Sequence, residues 1–390
     1  MRKICLAIAA YAAALSTGAA VAAPAFKIEK LYFSPRALLD DGTMVSVSVA
    51  YENNTCPGTS STHGCPIPLK SVSLGVGTAT QYPVDTPFNY LDREFLFNHS
   101  TEVISWSRAA RTDYKLTDLK TGLVTEFESG GTAPTATPTA TCTQLPSGSD
   151  LWWARSDSGQ LIGQPMGRCA EPDAIYLWSG TAAAQKILPP AGYVGLVFAG
   201  INASNQFAVT ATPTVRSAAY PPPRRVFVWS PKGGYKVLPM PFISLFKGYI
   251  GPQEAVAIND AADVLGNVTK LNGDRHAVLW RGNNSYDIGT IAGFQNSIAV
   301  GLTSAGQVIA CAYNSFDKTY GPTGVSQLFI WENGTQKLWA DAVSTSANTP
   351  TGCSDNMFVS YSIKTQVLSN RAGQLVLKDY NGNYLLSPIK

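Results

Sequence analysis

The sequence has little charge and few histidines: 14% of its 390 residues are Asp, Glu, Lys or Arg, and three are His. Such low charge, together with 45% hydrophobic residues, excludes a highly charged disordered chain and argues against a coiled coil or helical bundle. The formal net charge of +3 falls to +1 without Arg2 and Lys3, which belong to the leader described below. A nearly neutral chain offers little electrostatic attraction to nucleic acid, so we expect no nucleic-acid partner.

Motifs of the common enzyme classes are missing as well. The sequence has no G-x-S-x-G, H-E-x-x-H, P-loop or C-x-x-C. His63 and His99 fall in loop-like sequence, and His276 begins an apolar run, where a capping role is favoured over catalysis. The adjacent carboxylates Asp40 and Asp41, which could serve a glycosidase, lie in turn-like sequence, so a turn-forming role is favoured. We expect no metal and no cofactor, and the chain leans towards a non-enzyme.

The first residues have the features of an export signal. Arg2 and Lys3 precede an apolar run over residues 4–14, and residues 20–22 form an A-x-A cleavage pattern. We expect cleavage after residue 22, which makes 1–22 a Sec signal peptide; the alternative is an uncleaved anchor, for which the run is short. The remaining domain, 23–390, is then periplasmic or extracellular. No later apolar run is long enough to cross a bilayer, so we expect no transmembrane segment after signal removal.

Six cysteines remain after the leader, and an even number in an exported chain favours disulfides. Cys56 and Cys65 bracket a short loop at 56–65 and form the best-supported pair. The other candidates are Cys142 with Cys169 and Cys311 with Cys353, pairings proposed partly by elimination. Six cysteines allow 15 connectivities, and free buried thiols are the alternative.

An internal repeat is the main feature of the sequence. Apolar runs end in Trp at a constant spacing of 51 residues, at Trp178, Trp229, Trp280 and Trp331. Trp106 resembles a fifth copy; it precedes Trp178 by 72 residues, and a Thr/Pro-rich surface insert at 130–150 accounts for the excess. The runs are apolar on both faces of the pleat, which is typical of strands buried on both sides. We therefore expect the Trp side chains in the core rather than on a ligand platform.

A second repeated element lies between the Trp runs. It is a polar residue, two variable residues and a Gly, followed by apolar residues, a pattern that predicts a type I turn and an outgoing strand. The glycines concerned are Gly42, Gly159, Gly306 and Gly373, and two further copies carry Asn205 and Ala262 instead.

Four antiparallel strands in about 50 residues is the size of one propeller blade. The sequence therefore predicts an all-β fold, a β-propeller of about six four-stranded blades. A seventh is possible in the stretch 65–102. The terminal run at 384–387 stands where another Trp strand would be, so we expect the N- and C-terminal strands to pair and close the ring.

This pattern resembles the bacterial extracellular HAF-repeat family. The opening of its repeat is most similar to residues 275–280, Arg-His-Ala-Val-Leu-Trp, and its close to residues 255–266. The resemblance implies a propeller-like repeat of unassigned activity, without catalytic residues or cofactor. The chain departs from the family pattern because His276 is the only His among its copies and because Asn205 and Ala262 replace Gly.

The sequence favours an exported, monomeric binding or interaction module for an unknown glycan or protein ligand. An extracellular hydrolase or lyase with its active site at the axial channel mouth is the alternative, and a purely structural component of the cell surface is a third possibility. Candidate binding residues are the aromatic pair Trp152 and Trp153, which could instead belong to a strand, and Tyr220, Arg224 and Arg225 of a proline-rich loop.

Overall fold

The structure is a computed structural model of the whole chain. It describes these residues: 26–31, 37–51, 69–76, 80–84, 93–97, 102–107, 115–118, 121, 124–126, 152–163, 174–178, 185–215, 223–241, 253–270, 272–317, 321–344, 352–353, 368–379 and 382–389. The candidates Tyr220, Cys56, Cys65, Cys142 and Cys169, the leader 1–22 and the insert 130–150 lie outside the described residues.

The described residues form 29 β-strands and one short helix. The strands are β1 Phe26–Leu31, β2 Ala37–Leu38, β3 Met44–Tyr51, β4 Leu69–Val76, β5 Thr80–Val84, β6 Arg93–Phe97, β7 Glu102–Ser107, β8 Lys115–Asp118, β9 Val124–Glu126, β10 Trp152–Arg155, β11 Leu161–Gly163, β12 Ile175–Trp178, β13 Gln185–Ile187, β14 Tyr193–Ile201, β15 Phe207–Pro213, β16 Arg225–Ser230, β17 Gly234–Val237, β18 Gln253–Ile258, β19 Val264–Thr269, β20 Arg275–Arg281, β21 Asn284–Asp287, β22 Asn296–Leu302, β23 Val308–Asp317, β24 Gly321–Glu332, β25 Thr335–Leu338, β26 Val343–Ser344, β27 Leu368–Ser369, β28 Leu375–Asp379 and β29 Gly382–Pro388. The helix, α1, is Trp339–Ala342, and in the described part of the chain no helix is long and apolar enough to cross a membrane.

The fold is all-β, and its strands form mostly antiparallel four-stranded sheets. Within the described residues there are seven sheets. The first sheet is β2-β3-β4-β5, the second β6-β7-β8-β9, the third β10-β11-β12-β13, the fourth β14-β15-β16-β17, the fifth β18-β19-β20-β21 and the sixth β22-β23-β24-β25. Each of these six is a simple meander, in which every strand pairs antiparallel with the strands that precede and follow it in the chain.

The seventh, terminal sheet joins the two ends of the chain in the order β26-β1-β29-β28-β27. Strand β1 pairs antiparallel with β29 from Phe26 opposite Pro388 to Leu31 opposite Asn383. On its other side β1 pairs in parallel with β26, where Phe26 lies opposite Val343. Both edges of the N-terminal strand are therefore occupied by C-terminal segments.

The repeated Trp residues occupy one strand position, the third strand of a sheet, and they are buried. Trp178, Trp229, Trp280 and Trp331 end or nearly end β12, β16, β20 and β24, with at most 5% of their surface exposed. Trp106 differs, because it lies in β7, the second strand of its sheet. The 72 residues between Trp106 and Trp178 therefore do not correspond to one repeat with an insert. The run that ends at Trp106 is similar to the others in composition but not in its position within a sheet.

The cores lie between consecutive sheets rather than within one centre. One core joins the third and fourth sheets; there Phe207 stacks on Trp229 with ring centroids 4.8 Å apart. Others join the fourth to the fifth, the fifth to the sixth, the sixth to the terminal sheet, and the terminal to the first sheet. The fourth and fifth sheets each pack on both faces. Their third strands are therefore apolar on both sides of the pleat, over Val226–Trp229 and Ala277–Trp280.

The repeated turns join the first and second strands of a sheet, and each is closed by a bond from its fourth N–H to its first carbonyl. Gly306 N donates to Thr303 O at 3.0 Å, and Ala262 N donates to Asn259 O at 3.0 Å. The fourth position has a positive φ in all six copies, 80° at Gly306, 57° at Asn205 and 60° at Ala262. This left-handed conformation is why Gly recurs in the motif.

Ala262→Gly is expected to raise the free energy of unfolding by up to about 1 kcal/mol, because it relieves the left-handed strain of a side chain. The matched change Gly306→Ala should lower it by about 1–2 kcal/mol, since φ is 80° and an added Cβ would lie 2.0 Å from Nη2 of Arg281. Denaturant unfolding of both variants tests the pair. No shift in either variant, or a fall for Ala262→Gly with a rise for Gly306→Ala, would show that the turn conformation does not limit stability.

Candidate functional site

The first strands of neighbouring sheets contact one another: β10 contacts β14, β14 contacts β18, and β18 contacts β22. The first strands of these sheets therefore lie next to one another. The six repeated turns lie at one end of the sheets, which we call the turn end. These turns are residues 39–42, 156–159, 202–205, 259–262, 303–306 and 370–373. The opposite end, where the first strands begin, is the loop end.

At the turn end the first residue of one turn bonds the next turn. Asn202 Nδ2 donates to Asn259 O at 3.1 Å, Asn259 Nδ2 to Thr303 O at 3.2 Å, and Asn370 Nδ2 to Leu39 O at 2.8 Å. The Oδ1 atoms of the same side chains accept N–H groups inside their own turns. Asn thus closes its turn and ties two sheets at once, because its amide carries an acceptor and donors on separate atoms.

Asn259→Ser isolates this inter-sheet bond. Ser156 and Thr303 show that a hydroxyl at this position still accepts the in-turn N–H, at 3.1 and 3.0 Å. The change removes the bond to Thr303 O, together with a long contact of 3.5 Å from the same Nδ2 to Asp263 Oδ2 within the fifth sheet. The Thr303 carbonyl keeps its bond from Gly306 N, so we expect a loss of about 1 kcal/mol in the free energy of unfolding. Thr303→Ser, which removes no inter-sheet bond, is the control; an equal loss in both would contradict the assignment.

Arg371 stands where the turns converge and binds carboxylates of three other sheets. Its Nη1 donates to Asp40 Oδ2 at 2.9 Å, its Nε donates to Asp260 Oδ2 at 2.8 Å, and its Nη2 donates to Asp157. These aspartates belong to the first, fifth and third sheets, and Arg371 to the terminal sheet. The backbone N of Arg371 also donates to Asp40 Oδ1 at 2.9 Å. One side chain therefore fastens four sheets together.

The Arg371 cluster, which is Arg371 with Asp40, Asp157 and Asp260, is half-exposed and carries a formal charge of −2. The hydrogen bond that Arg371 donates to Asp260 and the negative charges of Asp157, Asp260 and Asp40 raise the pKa of Arg371, although partial burial opposes this. Among the described residues no group of three or more His, Cys, Asp or Glu is arranged to hold a metal ion. The carboxylate oxygens converge on a guanidinium.

A second layer of ties lies halfway along the sheets. The first strands bulge at equivalent positions, between Ala255 and Ala257 in β18 and between Ala299 and Gly301 in β22. Beside the bulge, Ala255 N donates to Thr210 Oγ1 at 2.8 Å, and Ala299 N donates to Asn267 Oδ1 at 2.8 Å. The bulge frees an N–H from its own ladder, and the neighbouring sheet supplies the acceptor.

The sixth sheet has Cys311 at the position of Thr210 and Asn267, three residues after the turn-proximal start of the second strand. Cys311 is joined in a disulfide to Cys353, with Cα atoms 6.1 Å apart. Cys353 follows β26, and its backbone N donates to Ser326 Oγ at 3.0 Å. At this position the sixth sheet therefore makes a disulfide, where the fourth and fifth sheets make a hydrogen bond. The disulfide anchors the chain that follows the sixth sheet and includes β26, the partner of β1.

At the loop end, charged residues gather between the fourth and fifth sheets. Arg275 Nη2 lies 2.5 Å from Glu254 Oε2, and Arg224 Nη1 lies 3.7 Å from Glu254 Oε1. Gln253 is fully buried; its Oε1 accepts Val226 N at 3.4 Å, and its Nε2 has no partner in the described part of the chain. We call Arg224, Gln253, Glu254 and Arg275 the loop-end cluster.

The other candidate binding residues have mixed placements. Trp152 and Trp153 lie in β10, the first strand of the third sheet, so both belong to a strand, although the alternative interpretation assigned one or both to the third strand of a blade. Arg225 is half-buried at the start of β16, and its Nη2 donates to Leu238 O at 3.1 Å in its own sheet. Arg224 immediately precedes β16 and is exposed, which leaves it the more accessible of the two.

His276 occupies the position in the fifth sheet that Arg225 occupies in the fourth, and it links strands of its own sheet. Its Nδ1 is 2.7 Å from Asp287 Oδ1, and its Nε2 is 2.9 Å from Lys270 Nζ. Since Lys has no acceptor, Nε2 accepts and Nδ1–H donates to Asp287. This geometry holds the turn after β19 to the end of β21, which is the capping role expected from the sequence.

Sequence reasoning missed the residues that hold the turns together. Asp157, Asp260 and Arg371 each occupy the second position of the repeated turn, a position treated as variable. Asp40 occupies the same position in the loosest copy and was interpreted as a turn former. Aligning the six turns would have shown three acidic residues and one Arg in one column, but only the convergence of the turns makes them neighbours.

Comparison with known proteins gives similarity of fold only. No protein-family model and no curated protein sequence matches the chain. The β-propeller domain of the Trilobed protease from Pyrococcus furiosus is 12% identical, over 79% of this chain and 82% of that one, with a TM-score of 0.42. Streptogramin B lyase is 11% identical over 94% and 98%, with a TM-score of 0.40, and TolB from Acinetobacter baumannii is 9% identical over 82% and 60%, with a TM-score of 0.35. These scores carry no argument about activity or ligand.

Proposed function

We propose that the chain is an exported β-propeller of the HAF-repeat type, with its seven sheets as blades arranged in a closed ring. Support comes from the ties at the turn end, which link each sheet to the next from the second through the terminal sheet to the first. Arg155 Nη2, for example, donates to Glu102 Oε2 at 2.9 Å between the third and second sheets. The Cys311–Cys353 disulfide is compatible with an oxidising compartment, periplasmic or extracellular.

The function that these features support best is a non-enzymatic binding module whose contact surface is the loop end. The observation that carries this proposal is the difference between the two ends. At the turn end, Arg371 and the three aspartates are engaged with one another. At the loop end, the Arg224 side chain is 44% exposed and makes no hydrogen bond to any described residue. Loops presented by a rigid sheet scaffold are common binding surfaces.

The alternative, a hydrolase or lyase, would need polar groups that face a substrate. Carboxylates do converge, but those of the Arg371 cluster accept hydrogen bonds from one guanidinium. A glycosidase pair requires two carboxyl groups separated across a gap that admits the scissile bond. We therefore place the functional surface at the loop end and treat turnover of a bound ligand as the result that would favour an enzyme.

A thermal-shift screen of the mature, oxidised protein against glycans, peptidoglycan fragments and peptides tests the proposal. A ligand at 100 times its Kd adds about 2.7 kcal/mol to stability, enough for a clear rise in Tm. Hydrogen exchange with a hit should then protect the starts of β14, β18 and β22 at the loop end. Protection of the repeated turns instead, or turnover of the hit, would contradict a binding surface at the loop end or a non-enzymatic role.

A further inference from the structure

We propose that the loop-end cluster binds a small ligand through a carboxylate group, with Arg224 as its principal contact and Gln253 as a second donor. This inference rests on the proposed binding function and names the chemical class of ligand for that surface. It is carried by two features of the cluster as the described residues show it: an exposed Arg whose guanidinium makes only a long ion pair, and a buried amide whose Nε2 has no acceptor among those residues.

Arg224 and Arg275 occupy equivalent positions on consecutive sheets, and both approach Glu254. Arg275 lies within hydrogen-bond distance, at 2.5 Å, whereas Arg224 remains at 3.7 Å. Glu254 therefore bonds Arg275, whose side chain is only 23% exposed, through Oε2, and forms only a longer ion pair with Arg224 through Oε1. The cluster keeps a net charge of +1, and the fork of N–H groups on Arg224 stays accessible.

Gln253 carries a donor, Nε2, that no acceptor meets within the described ranges. Its equivalent on the sixth sheet is Ser297, whose Oγ accepts Ala277 N at 3.0 Å, as Gln253 Oε1 accepts Val226 N at 3.4 Å. The amide orientation is set by that N–H, so Nε2 must point away from it. A serine meets the structural need at this position, whereas Gln253 adds a fully buried N–H that finds no acceptor in the part of the chain that the structure describes, a costly arrangement unless a ligand completes it.

Gln253 also touches Arg224 directly, because its backbone N donates to Arg224 O at 3.2 Å. The planar fork of Arg matches a carboxylate, which can accept two N–H bonds side by side. A dianion such as a phosphate monoester would exceed the +1 charge of the cluster and meet Glu254, so a monoanion fits better. These steps select a carboxylate among the common anionic groups.

Isothermal titration calorimetry at low salt tests the inference with two carboxylate sources and their neutral counterparts. Galacturonate is compared with galactose, and N-acetylglycine with N-acetylglycinamide. We expect at least one carboxylate to bind and its neutral counterpart not to bind. Arg224→Gln should weaken binding about ten- to a hundred-fold, the range for a lost hydrogen bond between charged groups. Gln253→Ser, which installs the residue of the sixth sheet, should weaken it several-fold.

Lys232→Gln is the matched control, because Lys232 is exposed in the fourth sheet at the turn end and carries the same charge. It should bind like the wild type. Equal affinity for neutral counterparts, equal effects of Arg224→Gln and Lys232→Gln, or no binding of either carboxylate would each overturn the inference. If a neutral ligand binds at the loop end, the proposed function stands and only the carboxylate assignment fails. Arg224 is exposed, so its variant decides the matter even if Gln253→Ser lowers Tm.

Discussion

Arg371→Gln is expected to lower the free energy of unfolding by about 2–4 kcal/mol. The change removes hydrogen bonds to Asp40, Asp157 and Asp260 and leaves three carboxylates facing one another without a cation. Each bond to a charged group contributes about 1.5–3 kcal/mol when buried, and we discount this because the Arg371 side chain is 45% exposed. Urea unfolding of the two proteins measures the difference.

The salt dependence gives this prediction a distinctive sign. In the wild type, salt screens attraction, so stability should fall or stay level as ionic strength rises; in Arg371→Gln, salt screens repulsion among the aspartates, so stability should rise. Arg371→Lys should be intermediate, because a single ammonium cannot reach carboxylates in three directions. Lys232→Gln serves as the control for the loss of one positive charge. A loss below about 0.5 kcal/mol, within the range of ordinary surface substitutions, would refute the role assigned to Arg371.

A double-mutant cycle separates direct coupling from general disturbance. Asp157 is the most buried partner, with its side chain 15% exposed, so Arg371→Gln and Asp157→Asn should be less destabilising together than the sum of the two. Asp118→Asn, in the second sheet and outside the Arg371 cluster, should add independently. An additive result with Asp157 would mean that the two side chains do not act as a pair.

The sequence predicted the strand class and the sheet unit well, because both follow from local patterns. A Trp run at a period of 51 and a turn with Gly at its fourth position are visible without any tertiary contact. The left-handed Asn205 and Ala262 fit the same turn, although they depart from the Gly consensus. Trp106 shows the limit of such reasoning, since an apolar run that ends in Trp does not reveal which strand of a sheet it forms.

The contacts between sheets could not be predicted in the same way, because they depend on which repeats become neighbours. Arg371 and Asp40 are 331 residues apart in the chain, and nothing local to either one indicates the other. Arg224 was selected from its proline-rich loop, but its relation to Glu254 and Gln253 required the fourth and fifth sheets to be side by side. Because the unit repeats, its strands and turns can be predicted from the sequence. The charged residues of the two clusters differ from one unit to the next, so their contacts cannot be predicted from the repeat.

Replacing both Cys311 and Cys353 by Ala is expected to lower the free energy of unfolding by up to about 4 kcal/mol. The disulfide closes a loop with a sequence separation of 42, and the chain-entropy estimate for a loop of that size gives this upper value. The effect should concentrate on the terminal sheet, because the bridged segment contains Trp339 and Val343, which are buried against the core that includes Phe26 of β1. Hydrogen exchange should therefore show faster opening of β26 and β1 than of the third to fifth sheets.

The paired alanine variant is preferable to reduction of the wild type, which would act on every disulfide in the chain. Cys311 is fully buried, so Ala is chosen over Ser to avoid placing an unpaired hydroxyl in the core. Both proteins should be scanned at one heating rate, since unfolding of a protein of this size can be irreversible. If the variant matches the wild type in Tm and in exchange at β1, the bridge is dispensable and the hydrogen-bonded pairing of β1 with β29 is enough to hold the chain ends together. A loss of protection confined to β26 and β1 would instead show that the disulfide fastens neighbouring sheets at this position, as the hydrogen bonds to Thr210 and Asn267 fasten the other sheets.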